Sequence, residues 1–366
     1  MLARDHPASP NAGKVLLTGG TGFIASHVLD CLLDHDFEVV VTVRSQEKGQ
    51  RVLESLDKAL RTRTSYVVVE DIAQDGAFDQ AVQADPPFDY VIHTASPYKS
   101  TFDDPVRDCL EPALKGTTNI LMSALLYAPF VKAVVITSSS AAMLSPPNHP
   151  ALYDESCWAD LTWEEGMNPA NTYRASKKFA EEAVWYFYQT RNPPFSIATI
   201  NNTYTFGPVQ RTLTSLDEIN TSNRRIADMV QGRMRAGIQP TAPVFTFVDV
   251  RDVALAHVRA MAAVTGTESM RFYVVGGFFS NPQLASIIRA HFPRLAGRLP
   301  PEVEVVDDFP NDHWLYNNSR SRVLLRIVYT QLEKSVVDTV ESILRLTGEQ
   351  EETTDGLASN FQEMAL

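Results

Sequence analysis

Short apolar runs alternate with amphipathic stretches along most of the chain. KVLLTG, EVVVTVR, SYVVVED, YVIHTAS, KAVVITSSS and FSIATIN are rich in β-branched residues and apolar at nearly every position. Strands of that kind are buried on both faces, as in a parallel sheet covered by helices. Between them lie segments whose apolar residues recur at helical spacing, the first being FIASHVLDCLLDHD. The rhythm predicts βαβ units and an α/β fold, a doubly wound parallel sheet with helices on both sides. After Asn202 the rhythm loosens. FTFVDVRDVALAHVRAM reads as one more strand and helix, RFYVVGG as a last strand, and the rest as a smaller, discontinuous lobe. The expected division is a main domain over 13–202, to which 244–276 return, a lobe from 203–243 and 277–347, and a polar tail over 348–366 whose composition predicts disorder.

Composition narrows the classes of function. The 366 residues are 44% hydrophobic and 9% aromatic, enough for a large core. A formal charge of -12 disfavours broad contact with nucleic acid or anionic lipid, both of which need clustered Lys and Arg. No run of eighteen apolar residues occurs, and the opening MLARDHPASPNAGK lacks the apolar core of a secretory signal. The expectation is a soluble cytoplasmic protein, monomer or homodimer, acting on a small molecule without nucleic-acid or membrane partners. Cys31, Cys109 and Cys157 form no CxxC pair, so neither a disulfide framework nor a metal site is expected.

TGGTGFIASH, Thr18 to His27, stands where the first strand turns into the first helix. Gly20, Gly22 and Ala25 fit GxGxxA, with Gly19 beside them. In that pattern one glycine makes a tight turn, another admits a pyrophosphate to the backbone, and a small third residue lets helix and strand pack closely. Phe23 and Ile24 open the helix, whose free N–H groups suit phosphates. The second strand then ends on Arg44, where a carboxylate would hold the ribose 2′-OH of NAD. A guanidinium there pairs with a 2′-phosphate, so the cofactor expected is NADP(H). Lys48 offers a second cation, or a solvated surface Lys.

Asp71 and Ile72 follow the third strand, where Asp71 is placed either to contact adenine or to cap a helix. Thr94, Ala95 and Ser96 close the fourth strand beneath the ribose and nicotinamide, and His93 before them reads as a packed core histidine without an acid–base role. Ser138, Ser139 and Ser140 end the fifth strand at the sheet edge where α/β proteins bind ligands, or cap the turn that follows.

Tyr173 is the one tyrosine of the chain with a lysine four residues on, Lys177. On a helix the two share a face. A fixed cation lowers the phenol's pKa from about 10, making Tyr173 a general acid for reducing a carbonyl. Lys177 would also hold the nicotinamide ribose, and Ser139 would polarise the carbonyl oxygen.

TGGTGFIASH, TSS, YRASK, GTTNIL and DVRDVALAH together resemble the extended short-chain dehydrogenase/reductases. VRSQEK and HTASP narrow the resemblance to the methylglyoxal reductase and dihydroflavonol reductase-like group, over Lys14 to Leu346. The resemblance implies a Rossmann fold, NADPH, a Ser139–Tyr173–Lys177 triad, and Asn119 behind Tyr173 organising a water-linked proton path; a helix-kinking Asn serves equally. Asp249, Arg251, Asp252 and His257 also match the family and read as a strand-to-helix cap with its ion pairs.

Two departures bear on the substrate. Relatives carry Asn-Pro where this chain has Asn201-Asn202, which leaves Asn202 and Thr203 as candidates for the nicotinamide carboxamide. The methylglyoxal reductases often place an aromatic residue after the catalytic Ser, and Ser140 stands there. The expected substrate is therefore a bulky ketone or aldehyde such as a polyketide intermediate, with Tyr98, Phe102, Ser140, Leu144 and Tyr204 as pocket residues. Rival readings are a methylglyoxal or small-aldehyde reductase, a sugar-nucleotide epimerase or dehydratase, and a non-catalytic NADP sensor.

Overall fold

The computed structural model describes residues 12–96, 103–302 and 305–349. Its strands are β1 (Lys14–Thr18), β2 (Glu38–Val43), β3 (Thr64–Val68), β4 (Tyr90–His93), β5 (Ala133–Thr137), β6 (Leu152–Tyr153), β7 (Ser196–Asn202), β8 (Tyr204–Phe206), β9 (Thr246–Asp249), β10 (Met270–Val274), β11 (Gly277–Phe278) and β12 (Leu315–Tyr316). The helices are α1 (Phe23–Asp34), α2 (Gln46–Glu54), α3 (Lys58–Arg61), α4 (Glu111–Tyr127), α5 (Trp163–Gly166), α6 (Pro169–Arg191), α7 (Thr221–Val230), α8 (Val250–Val264), α9 (Asn281–His291), α10 (Ser319–Leu324) and α11 (Leu332–Thr347).

Seven strands form one parallel sheet in the order β10-β7-β5-β4-β1-β2-β3. Successive side chains of a strand point to opposite faces, and both faces are apolar here. Val15 and Leu17 pack with Val28, Leu29 and Leu32 of α1 and with Val253, Val258 and Met261 of α8. Leu16 faces the other way, toward Ile120 and Leu121 of α4 and Val184 and Phe187 of α6. Burying each such side chain contributes about 1.5–3 kcal/mol. The order turns back between β1 and β4, which makes a crevice at the carboxyl ends of these strands.

A second core joins α7, α9 and α11 to a three-stranded sheet ordered β11-β9-β8. Strand β9 thus belongs to the small sheet. Of the stretch 244–276 assigned to the main domain, α8 packs on the seven-stranded sheet and β10 joins it. Leu325 and Ile327, assigned to the lobe, pack into the main core. Periodicity reveals that a strand exists but not which sheet receives it.

Candidate active site

The Gly-rich turn is held to its neighbours by the backbone. Gly20 N–H donates to Thr42 O at 2.9 Å and Gly19 N–H to Thr42 Oγ1 at 3.2 Å. Gly19 has φ +76°, and a Cβ on it would lie 3.0 Å from Ala95 Cα and N. The conformational demand therefore falls on Gly19, outside the Gly20–Ala25 frame, while Gly20 faces Val41 of β2, where a Cβ would come within 2.7 Å. No side chain caps α1 at Gly22, so the N–H groups that begin it, with Phe23 and Ile24, stay available to an anion. Across the crevice Ala95 N–H donates to Thr18 Oγ1 at 3.1 Å and Thr94 Oγ1 to Thr18 O at 2.5 Å, tying the end of β4 to that of β1.

Arg44 is the first residue beyond β2. It is exposed and, among the described residues, has no ion-pair partner. Lys48 is exposed on the first turn of α2, whose cap is Ser45. Asp71 Oδ1 accepts the Ala73 N–H at 2.9 Å in a local turn, and Ile72 lies against Gly116 of α4. The Asn119 side-chain amide donates to Ile72 O at 2.9 Å and Gln74 O at 2.8 Å, fastening the loop after β3.

On the opposite side, α6 starts at Pro169 with the Asn168 side chain accepting from Ala170 N–H. Tyr173 is 39% exposed on its first turns. One turn on, the Lys177 ammonium donates to Ser96 Oγ at 3.2 Å, bringing the end of β4 and the helix together. Burial pulls the Lys177 pKa down to about 8, against the opposing pull of Cys109 and Glu181. Ser139 is buried; its Oγ accepts the Ala141 N–H at 3.1 Å, which leaves the hydroxyl hydrogen free to donate. Ser138 turns inward to Glu181 Oε2 at 2.5 Å.

Of the two carboxamide candidates, Asn202 is buried with Oδ1 unpartnered and Nδ2 donating to Thr205 Oγ1 at 3.0 Å. Thr203 instead donates its hydroxyl to Thr246 O at 2.9 Å, which commits the side chain to β9. The DVRDV stretch is structural. Asp249 caps α8 and holds Arg251 through both oxygens at 2.8 Å, and Arg251 reaches Asp338 of α11. Asp252 accepts from Thr330, and His257 bridges Val253 O and Thr137 Oγ1.

The substrate side departs most from expectation. Tyr98 and Phe102 lie outside the described residues. Leu144 is packed in the core with Tyr153, Tyr273 and Trp314, and Ser140 is buried with its carbonyl accepting from Met143 and Leu144, so neither forms an open wall. Tyr204 packs against Phe206 and Phe279, its hydroxyl taken by Arg225 at 3.0 Å. Two constellations were missed. One is a buried ion pair, Glu181 with Arg271 at 2.8 Å, which also gathers Ser138, Thr199 and Asn201. Its signal was one more helical step, since Glu181 follows Lys177 by four residues. The other is a series of edge-on rings, Phe245, Phe278, Phe309, His313, Trp314 and Tyr316, foreshadowed by the aromatic run DDFPNDHWLY. Trp314 also contacts His149 and Tyr153 in the segment after Ser139.

Residues 15–276 match the model of the NAD dependent epimerase/dehydratase family. Ketoreductase azaE of Aspergillus niger is 50% identical over 333 residues, spanning 91% of this chain and 98% of that protein. The NADPH-dependent methylglyoxal reductase GRE2 of Saccharomyces cerevisiae is 33% identical, over 92% and 99%. Among solved structures, Gre2 of Candida albicans in complex with NADPH superposes with a TM-score of 0.79 at 34% identity, covering 91% of this chain and 99% of that one. A parallel sheet with a Gly-rich turn at its reversal point and a Tyr–Lys helix beside it, matched over most of its length, makes this chain a member of the NAD dependent epimerase/dehydratase family, the extended short-chain dehydrogenase/reductases.

Proposed function

We propose that the chain is an NADPH-dependent carbonyl reductase that converts a ketone or aldehyde to an alcohol, with Ser139, Tyr173 and Lys177 as its catalytic residues. The observation that carries this reading is Lys177 reaching from α6 to Ser96 at the end of β4, which sets the Tyr173 helix against the dinucleotide crevice.

The residues present fit the cofactor. A Cβ at Gly19 would fill the cradle, the N-terminus of α1 has no side-chain cap, Arg44 just beyond β2 is an exposed cation with no ion-pair partner among the described residues, and Asn202 Oδ1 is a buried acceptor with no donor among them. The α1 N–H groups would hold the pyrophosphate, Arg44 the 2′-phosphate, Lys177 and Ser96 the nicotinamide ribose, and Asn202 the carboxamide. When bound, NADPH supplies the hydride. Tyr173 donates its hydroxyl proton to the carbonyl oxygen as charge develops there. Lys177 stabilises the phenolate left behind, and the Ser139 hydroxyl donates to the same oxygen.

The substrate we favour is bulkier than methylglyoxal. Support comes from the partly exposed rings of Phe278, Phe309, His313 and Tyr316, an apolar surface suited to a large hydrophobic or aromatic ketone, and from the likeness to a ketoreductase at 50% identity. The test is NADPH consumption with a graded panel of carbonyls by wild type and Tyr173→Phe. The variant is expected to lose roughly 10²–10⁴-fold in kcat; equal turnover by both proteins overturns the proposal. Preference for the small aldehydes of the panel would overturn the bulky-substrate reading alone.

A further inference from the structure

Behind Lys177 lies a small recess whose polar groups come from His93, Ser96, Thr117, Ser138, Lys177 and Glu181 and whose apolar wall includes Ala95, Ile136 and Ala180, with about 10 Å³ open to the centre of a water, room for one molecule. His93 is 2% exposed and its Nε2 has no hydrogen-bond partner among the described residues. The tautomer follows from its other nitrogen. Thr18 Oγ1 already accepts the Ala95 N–H at 3.1 Å and stands 2.9 Å from His93 Nδ1. With Nδ1 the one acceptor within reach of the Thr18 hydroxyl among the described residues, we assign the hydroxyl hydrogen to Nδ1, which places the imidazole hydrogen on Nε2. A buried N–H left without an acceptor is costly, and the recess beside it holds polar groups and is of the right size.

We propose that the recess is a water-binding site shared by His93 and Lys177, and that His93 is a positioning residue for the lysine. Its water accepts from His93 Nε2–H and from the Lys177 ammonium, and donates to hydroxyl or carboxylate oxygens of the lining. The site rests on the reductase reading for its effect on turnover, though not for its existence. It differs from a proton relay, because the imidazole presents a hydrogen to the water and burial keeps it neutral, its pKa pulled down to about 3. The water holds the ammonium in place and keeps it charged. The titratable groups acting on the ammonium are Glu181, one turn further along α6, and Cys109 from the helical turn that leads into α4, while Ser96 Oγ accepts from it at 3.2 Å and Tyr173 stands one turn earlier on the same helix; the Glu181 charge is balanced by Arg271 from β10.

Two substitutions separate this role from simple packing. His93→Asn retains a group opposite Thr18 but cannot reach the recess, whereas His93→Gln carries an amide N–H to the Nε2 position and gives up Thr18. The Asn variant is expected to lose about tenfold in kcat, the worth of one hydrogen bond to a charged group, with a smaller change in KM for NADPH. Its alkaline limb of the pH–rate profile should move to lower pH, because an ammonium without its acceptor deprotonates sooner. The Gln variant should retain most of kcat. A wild-type rate and profile in the Asn variant, or equal losses in both that track their melting temperatures, would overturn the proposal. A crystal structure supplies the readout that needs no substrate: an ordered water within about 3.2 Å of both nitrogens is expected, and its absence overturns the site. If wild type reduces no carbonyl, the reductase reading fails while this structural test still stands.

Discussion

The two sides of the crevice are built from different materials. On the dinucleotide side the work falls to backbone: the turn at Gly19, the uncapped start of α1, and N–H donors tied to Thr42 and Thr18. On the carbonyl side it falls to side chains anchored by a buried charge pair. Glu181 and Arg271 have side chains 1% and 8% exposed, and Glu181 also receives Ser138, Thr199 and Asn201. Backbone recognition is local and tolerant of what surrounds it. A buried charge network is all-or-none, since removing one partner strands the other in a low dielectric.

The largest effect should come from breaking that network. Arg271→Met leaves the Glu181 carboxylate buried and unpaired, and is expected to cost about 3–5 kcal/mol in urea unfolding. Pairing it with Glu181→Met should return a large part of that loss, though not all, because Ser138, Thr199 and Asn201 lose their acceptor. Full additivity of the two single losses would show the pair to be no network. Gly19→Ala probes the other material. A left-handed φ of +76° in a residue with a Cβ, together with the 3.0 Å approach to Ala95, should destabilise by about 3 kcal/mol and raise KM for NADPH. Wild-type affinity in Gly19→Ala would mean that the turn does not cradle the phosphates.

That contrast also explains what could be read beforehand. All six strand-like runs from KVLLTG to FSIATIN became strands of the large sheet, because cover on both faces writes a nearly uninterrupted apolar code, even in the half-buried edge strand β3. The Gly-rich turn and the Tyr173–Lys177 spacing were legible because each is contained in a few consecutive residues. Arg271 reaches Glu181 across 90 residues of sequence, and no local pattern records that meeting. The same holds for Leu144 and Tyr204. Apolar character announces that a side chain is buried; whether its neighbours are protein or substrate is decided by tertiary packing alone. The loop-fastening role of the Asn119 amide was illegible for a related reason, since the carbonyls it answers to lie 45 or more residues away in sequence.

Arg44 is the exception on the dinucleotide side, the one place where a side chain is asked to discriminate. Exposed and without an ion-pair partner among the described residues, it contributes little to stability, so Arg44→Ala should unfold within about 0.5 kcal/mol of wild type. Loss of a charge-assisted contact of about 1.5–3 kcal/mol should nonetheless raise KM for NADPH by tenfold or more while leaving NADH unchanged. Equal losses with both coenzymes would remove Arg44 as the reader of the 2′-phosphate.

Lys177 belongs to both sides, and its titration sets stability and activity against each other. Burial lowers its pKa to about 8 from an ordinary value of about 10.4. Between these pH values the unfolded chain keeps a proton that the folded apoprotein has released, so stability contributed by this group rises with pH across the window, by at most about 1.4 kcal/mol per unit. Turnover should move the opposite way, because kcat/KM reports the free enzyme and the neutral amine no longer steadies the Tyr173 phenolate. The thiols of Cys31 and Cys109, their pKa values pushed up by burial, contribute the opposite slope above about pH 8, so the share of Lys177 is read as wild type minus Lys177→Met. That difference in urea stability should rise from pH 7 to 10 while wild-type initial rates fall, and Lys177→Met should abolish most of the activity. A difference that falls with pH, as the rates do, would place the titrating group elsewhere in the crevice.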